Sequence, residues 1–120
     1  MTTERGVRDT RRISWIKAAL KDFRAFPAGV QTRAAEALTA VADGATPDLA
    51  KPLVGLGAGV WELAIRERGD AYRVVYGLQI DEDIWVIHAF QKKSKSGIAT
   101  PRAEIDLVRT RIKRLKAALA

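Results

Sequence analysis

The chain has 120 residues, 48% of them hydrophobic, which is enough for one domain around a single core and leaves no room for a second. It contains no cysteine and one histidine, so a disulfide framework and a zinc site of standard composition are excluded. No apolar stretch approaches the roughly 18 residues that a membrane span needs. We therefore expect a cytoplasmic protein with no membrane partner.

The formal net charge of +7 is concentrated at the two ends of the chain. Residues 1–24 sum to +4, residues 25–90 to −4 and residues 91–120 to +7. If the ends meet in space, they produce a positive field on part of the surface, for which nucleic acid is the usual partner. A solvated basic helix is the alternative explanation of the same charges.

The N-terminal part predicts a strand followed by two helices. Residues 1–11 are expected to form a flexible tail and residues 12–120 a single domain. The segment RISWIK, residues 12–17, is typical of a short strand. The segments AALKDFRAF and AGVQTRAAEALTAVADG then carry apolar residues at helical spacing, the first closed by Pro27 and the second by Gly44. These two segments predict a helical hairpin.

The stretch ATPDLAKPLVGLGAGV, residues 45–60, is predicted to be a loop because it is rich in proline and glycine. Its G-x-G-x-G motif at residues 55–59 would indicate a phosphate cradle only if it followed a strand and opened a helix. It leads into sequence typical of a strand instead. The motif is therefore interpreted as part of a plain loop.

Three strands are predicted next: VWELAIR at residues 60–66, AYRVVYGLQ at 71–79 and IWVIHAF at 84–90. The connections ERGD and IDED are short enough for hairpin turns, so the strands are expected to be antiparallel neighbours. Because side chains alternate along a strand, one face of this sheet is expected to pack on helices and the other to present charge.

The last predicted element is a helix with Thr100 as its N-cap and Pro101 as its first residue. An apolar stripe is expected to be buried: Ile105, Val108, Ile112, Leu115 and Leu119. The opposite face is mostly basic and is a candidate surface for nucleic acid: Arg102, Arg109, Lys113 and Lys116, with Asp106 among them. The predicted order is β-α-α-β-β-β-α, which is an α+β fold with one small antiparallel-rich sheet.

Cationic side chains on or beside the sheet are the strongest candidates for chemistry: Arg66, Arg73, His88, Lys92, Lys93 and Lys95. Such groups can cleave RNA without a metal or another cofactor, because the ribose 2′-hydroxyl of the substrate is the nucleophile. The protein must then supply a base for the hydroxyl proton, cations for the charge that develops on the phosphate, and an acid for the departing 5′-oxygen.

Each candidate also has a purely structural explanation. His88 lies in an apolar strand and could be a core histidine. Arg73 could form an ordinary salt bridge with Glu62 across neighbouring strands. The lysines after residue 91 could be a solvated strand exit. Their position directly after a central strand, beside arginines of the neighbouring strands, favours a phosphate-binding rim.

Five segments match the pattern of a known family. They are DFRAFP, KPLVGLG, WELAI, YRVVYGL and WVIHAFQKKSKSGIATPRAEIDLVRTRIKRL, of which HAFQKKSKSGIATP is specific. Together they resemble the phage-derived, HigB-like branch of the RelE/ParE toxin superfamily, over about residues 12–116. The resemblance implies a toxin of a type II toxin–antitoxin pair, usually a ribosome-dependent mRNA endonuclease. It also implies a cognate antitoxin, in this branch commonly a helix-turn-helix protein.

The resemblance further implies roles for individual residues. The arginine of the superfamily's YR strand falls on Arg73, a basic residue seven positions earlier falls on Arg66, and the cationic end of the last strand falls on Lys92 and Lys93. Active members often add an acid/base histidine or tyrosine near the end of the chain. The segment after HAFQKK supplies neither, which leaves His88, a tyrosine or a lysine as the proton carrier.

Two toxin functions remain in competition. The first is a metal-independent mRNA interferase that inhibits translation, with the basic C-terminal helix gripping ribosomal RNA. The second is a ParE-like, non-catalytic toxin that inhibits DNA gyrase by protein contact. A third, weaker interpretation is a basic nucleic-acid-binding module.

Overall fold

The structure, a computed structural model, describes residues 10–57, 59–93 and 99–120. Most of the predicted tail, residues 1–9, lies outside this part of the chain. The described residues form five strands and three helices: β1 Ile13–Trp15, α1 Lys17–Arg24, α2 Ala28–Ala42, β2 Ala50–Pro52, β3 Val60–Glu67, β4 Asp70–Ile80, β5 Asp83–Lys92 and α3 Arg102–Leu119. The predicted α+β class and the helical hairpin are confirmed.

One five-stranded sheet organises the domain, in the order β1-β5-β4-β3-β2. The three long strands are antiparallel neighbours, as predicted, and only the short β1 pairs in parallel, with β5. Arg68 and Gly69 connect β3 to β4 as a two-residue turn with φ of 52° and 85°. Positive φ at both positions is the turn geometry that matches the twist of a hairpin.

The two faces of the sheet are covered by different helices. Helices α1 and α2 cover one face around a large apolar cluster that includes Phe23, Leu38, Leu63 and Tyr76. Helix α3 covers the other face with a smaller cluster that includes Val108 and Ile112. The expectation that one face presents charge to solvent was therefore wrong, because α3 packs across that face.

Residues 45–60 were predicted to be loop throughout, and this is wrong in part. Ala50–Pro52 form β2, which pairs with β3 at the edge of the sheet. A proline in a strand obscures the pattern, but a proline is tolerated where the strand is at an edge. The described residues of the glycine motif lie outside helices and strands, as predicted.

The start of α3 also differs from the prediction. The N-cap position is held by Pro101, and the helix begins at Arg102. Thr100 makes no cap hydrogen bond and instead turns its hydroxyl to the sheet. The predicted apolar stripe is buried at Val108 and Ile112 but is exposed at Leu119.

Thr10 and Arg11, which the sequence placed in the tail, contact the fold. The Thr10 hydroxyl donates to Asp43, and the Arg11 guanidinium donates to backbone carbonyls at the turn between β4 and β5. None of the helices in the described part of the chain is both long enough and apolar enough to cross a membrane.

Candidate functional site

The strand register places three of the predicted cations on one face of the sheet. Ala71 of β4 pairs with Arg66 of β3 on one side and with Lys92 of β5 on the other. Directly paired residues share a face, and so do residues two apart in a strand, which adds Arg73 to the group. Neighbouring strands are about 4.8 Å apart, and Arg66 and Lys92 lie on the two strands that flank Ala71. Their backbones are therefore roughly 10 Å apart.

This cationic row comprises Arg66, Arg73 and Lys92 and lies on the α3 face, at the end of the sheet where β5 stops. The three side chains differ in accessibility. Arg66 is exposed, whereas Lys92 is 8% and Arg73 is 5% exposed. The row therefore combines one accessible cation with two that are held inside the protein.

Arg73 forms the salt bridge with Glu62 that the sequence left open. Its Nη1 lies 2.6 Å from Oε1 of Glu62, a carboxylate with no exposed surface. The second carboxylate oxygen accepts a hydrogen bond of 2.7 Å from the Thr100 hydroxyl, and Arg73 also donates to that hydroxyl at 3.3 Å. The Lys51 ammonium lies 3.4 Å from Glu62. A buried carboxylate is thus held by groups from β2, β4 and the segment before α3.

His88 is also occupied within the fold. Its Nε2 lies 2.8 Å from a carboxylate oxygen of Glu104, and its Nδ1 lies 3.1 Å from Nη1 of Arg111. A guanidinium can only donate, so Nδ1 accepts and the ring proton belongs on Nε2, where it is donated to Glu104. The ring is 4% exposed and stacks on Phe90. This arrangement joins β5 to α3, and a base role for His88 would require one of these contacts to break.

Lys93 points away from the cationic row. It follows Lys92 directly and lies just beyond the end of β5. There it lines an open groove of about 620 Å³ together with Asp22, Phe26, Tyr72 and Gln91. The lining of this groove includes Asp22 of α1 and no residue of α3, so Lys93 faces the α1 side of the sheet end.

The tyrosines are poor candidates for the proton carrier. Burial raises the pKa of Tyr76 to about 12. Burial also raises the pKa of Tyr72, and the carboxylates of Asp70 and Glu67 add to the increase. A phenol whose pKa lies above its ordinary value is both a weaker acid near neutral pH and scarcely ionised as a base.

The basic face of α3 lies on the surface as predicted. Arg102, Arg109, Lys113 and Lys116 are all exposed. Asp106 partly offsets their charge, because it lies 2.9 Å from Arg109 and 3.7 Å from Arg102. Lys95, the remaining predicted residue, lies outside the described part of the chain.

Sequence reasoning missed four residues that complete the site: Lys51, Thr100, Glu104 and Arg111. Thr100, Glu104 and Arg111 recur at intervals of four and seven, so they lie along one side of the helix and its lead-in. That spacing was available in the sequence, but a search for apolar stripes passes over polar residues. Among the described residues, no three His, Asp or Glu side chains are grouped so as to hold a metal ion.

Comparison with known proteins agrees with this architecture. Residues 21–113 match the family described as phage derived protein Gp49-like (DUF891). No curated protein matches the chain. An arginine-to-alanine double mutant of the E. coli toxin RelE in the free state has 20% identity and a TM-score of 0.58, over 88% of this chain and 96% of that one.

A second structure, of the isolated E. coli RelE toxin, has 18% identity and a TM-score of 0.53, over 83% of this chain and 97% of that one. At these identities the likeness establishes the fold. The resemblance seen in the sequence is confirmed for both family and fold. The chain belongs to the phage-derived Gp49-like family and has the RelE fold.

Proposed function

We propose that this protein is the toxin of a type II toxin–antitoxin pair and that it cleaves mRNA on the ribosome without a metal ion. The observation that carries the proposal is the cationic row, in which Arg66, Arg73 and Lys92 share one face at the end of the sheet. Membership of the Gp49-like family and the RelE fold support the toxin assignment.

Arg66 and Lys92 bind the scissile phosphate in this proposal. They lie on either side of Ala71, whose side chain is only a methyl group. Arg73 is a buried member of the row, and its charge stabilises the phosphorane-like transition state, in which negative charge increases on the nonbridging oxygens. Glu62 and Thr100 fix the orientation of that guanidinium.

Lysines are the best candidates for proton transfer. His88 is engaged at both ring nitrogens, and the pKa values of both tyrosines are raised. Lys92, the last residue of β5, is itself a member of the cationic row, and Lys93 follows it directly. One would take the proton of the 2′-hydroxyl and another would return a proton to the 5′-oxygen.

The partners follow from the same proposal. The exposed cations of α3, Arg109, Lys113 and Lys116, contact the ribosomal RNA backbone and carry no chemistry. A cognate antitoxin, of the helix-turn-helix type that the sequence resemblance implies, holds the toxin inactive.

A non-catalytic toxin acting on DNA gyrase is the second candidate. The observation in its favour is the burial of Arg73 against Glu62, which is also what a purely structural ion pair would look like. In that case the cationic row would contribute to the fold and no cleavage would occur.

The experiment is single-turnover cleavage of mRNA on saturating ribosomes, with analysis of the product ends. We expect a 2′,3′-cyclic phosphate or 3′-phosphate, because the nucleophile is the 2′-hydroxyl, and we expect EDTA to leave cleavage intact where ribosome integrity is otherwise maintained. Arg73→Ala should lower the rate by a factor of about 100 to 1,000, which corresponds to roughly 3 to 4 kcal/mol of transition-state stabilisation.

Two variants at exposed positions distinguish a loss of cleavage from a loss of folding. Arg66→Gln removes an exposed member of the row and should slow cleavage while leaving the thermal midpoint unchanged. Arg12→Gln removes an exposed cation at the opposite end of the sheet and should cleave like wild type. A 3′-hydroxyl product, or full-rate cleavage by folded Arg73→Ala, would show that the proposed site is wrong.

A further inference from the structure

Helix α1 carries a basic stripe that the proposed function does not yet use. Lys17, Lys21 and Arg24 are all exposed. At about 100° per residue, Lys21 and Arg24 point within about 40° of Lys17, so the three cations form one line along the helix. We call this line the α1 stripe. It lies on the face of the sheet opposite α3.

The charges of the α1 stripe are uncompensated. Within the described residues, none of its three side chains makes an ion pair or a hydrogen bond. The basic face of α3 differs, because Asp106 lies within 4 Å of two of its arginines. A solvated helix face ordinarily mixes both signs, whereas three unpaired cations in line keep a positive potential available to a ligand.

The α1 stripe leads towards the proposed active site. It spans about 10 Å at 1.5 Å per residue, and it ends at Arg24. The next residue, Ala25, lines the groove that Lys93 also lines. Lys93 follows Lys92 of the cationic row, so cations continue from the row, around the end of β5, to the stripe.

We infer that the α1 stripe and Lys93 bind the single-stranded RNA that flanks the scissile phosphate. This inference rests on the proposed function for the position of that phosphate. An extended strand of phosphates fits a line of exposed, unpaired cations, since each contact releases a counterion. The exposed Gln91 in the groove can in addition meet a base edge with its amide.

One residue along the proposed path of the RNA is negatively charged, and it provides a second test of the inference. Asp22 lines the groove beside Lys93, about 140° around α1 from Lys17. Its carboxylate repels phosphate. Replacing it by asparagine should therefore strengthen RNA binding, a gain that damage to the fold cannot produce.

The experiment measures binding to a labelled single-stranded RNA of about 12 nucleotides with 2′-O-methyl groups, which cannot be cleaved. The triple variant Lys17→Gln, Lys21→Gln, Arg24→Gln should flatten the slope of log K against log salt by about 2, or 0.7 for each contact. Lines that meet near 1 M salt then differ roughly 100-fold in affinity at 0.1 M. Asp22→Asn should bind more tightly than wild type.

The matched controls change the same charge elsewhere. Arg12→Gln removes one exposed cation at the far end of the sheet, and Glu36→Gln removes an exposed carboxylate on α2. Both should bind the RNA as wild type does. The inference is wrong if the triple variant keeps the wild-type slope. It is also wrong if the triple variant flattens the slope by only three times as much as Arg12→Gln does, because the change would then follow net charge and not position. Because this RNA cannot be cleaved, failure of cleavage elsewhere leaves the binding result unaffected.

Discussion

The two faces of the sheet bury different kinds of side chain. The face under α1 and α2 buries aliphatic and aromatic side chains, among them Leu63, Val74 and Tyr76. The face under α3 buries a smaller apolar cluster, and it also holds the four buried polar or charged residues of the described chain: Glu62, Arg73, His88 and Lys92.

The difference separates stability from chemistry. Apolar burial stabilises the first face without demanding any particular partner. The second face contains charges that are tolerable only while they remain paired, because an unpaired buried charge is costly. Local features that oppose a simple core are expected where a protein has a functional site. The proposed site lies on the face that contains them.

Breaking one partner of the buried pair should produce the largest effect on stability. Glu62→Ala leaves Arg73 buried without its carboxylate and should lower the free energy of unfolding by about 3 to 5 kcal/mol. Leu63→Ala, the next residue on the opposite face, should cost about 2 to 5 kcal/mol through a cavity. Urea unfolding of both variants measures these costs.

Replacing both partners distinguishes the two faces. Glu62→Leu combined with Arg73→Met removes both charges and should restore stability to near that of wild type, since apolar side chains can replace a buried pair without loss. The same double variant should not cleave mRNA. If the double variant is as unstable as Glu62→Ala, the ion pair itself stabilises the fold. The charges of the α3 face would then contribute to stability as the apolar face does, and the proposed difference between the faces would be wrong.

The face under α1 and α2 could be predicted largely from the sequence, and the other face could not. Alternation assigned Leu63 and Ile65 to one side of β3, and both are buried there. The same alternation assigned Glu62 to a charged face that was expected to meet solvent. Whether a charged residue is exposed depends on what packs over it, and α3 is about 40 residues away along the chain.

The candidate site could likewise be predicted only in part from the sequence. The pattern placed Arg66 and Arg73 on neighbouring strands and Lys92 directly after the third strand, and the register brings the three together. It could not place Thr100 against Glu62, because that contact joins residues 38 apart. Strand β2, which brings Lys51 to Glu62, was missed because proline and glycine mask a short edge strand.

The apolar face has a pH dependence of its own. The pKa of Tyr76 is raised to about 12, so the folded state holds the phenol proton more tightly than the unfolded chain, whose value is 10.0. The free energy of unfolding should therefore be unaffected below pH 10 and should fall between about pH 10 and 12. The loss is at most about 2 to 3 kcal/mol.

Tyr76→Phe isolates this contribution, because it keeps the ring and removes the titrating group. Urea unfolding at pH 8 and pH 11 should show a smaller alkaline loss for the phenylalanine variant than for wild type. Deprotonation of lysines affects both proteins alike. Equal losses in the two proteins would mean that the phenol of Tyr76 ionises as readily in the folded state as in the unfolded chain.

The smallest expected effect concerns the Thr100 hydroxyl, which connects the start of α3 to the buried ion pair of the sheet. Thr100 donates to Glu62 and accepts from Arg73, and it stands immediately before the N-cap of α3. Thr100→Val keeps the shape and removes both hydrogen bonds. Because the residue is half-buried and its partners are charged, the free energy of unfolding should fall by about 1 to 2 kcal/mol.

Thr100→Ser is the matched control, because serine retains the hydroxyl. Hydrogen exchange should separate the two variants where the effect is local. The first turn of α3, which has no side-chain cap, should exchange faster in Thr100→Val, whereas the turn at Val108 and Ile112 should be protected in both, since apolar packing holds it. If the valine variant matches the serine variant in stability and exchange, the start of α3 is held by packing alone, and the ionic part of this face does not position the helix.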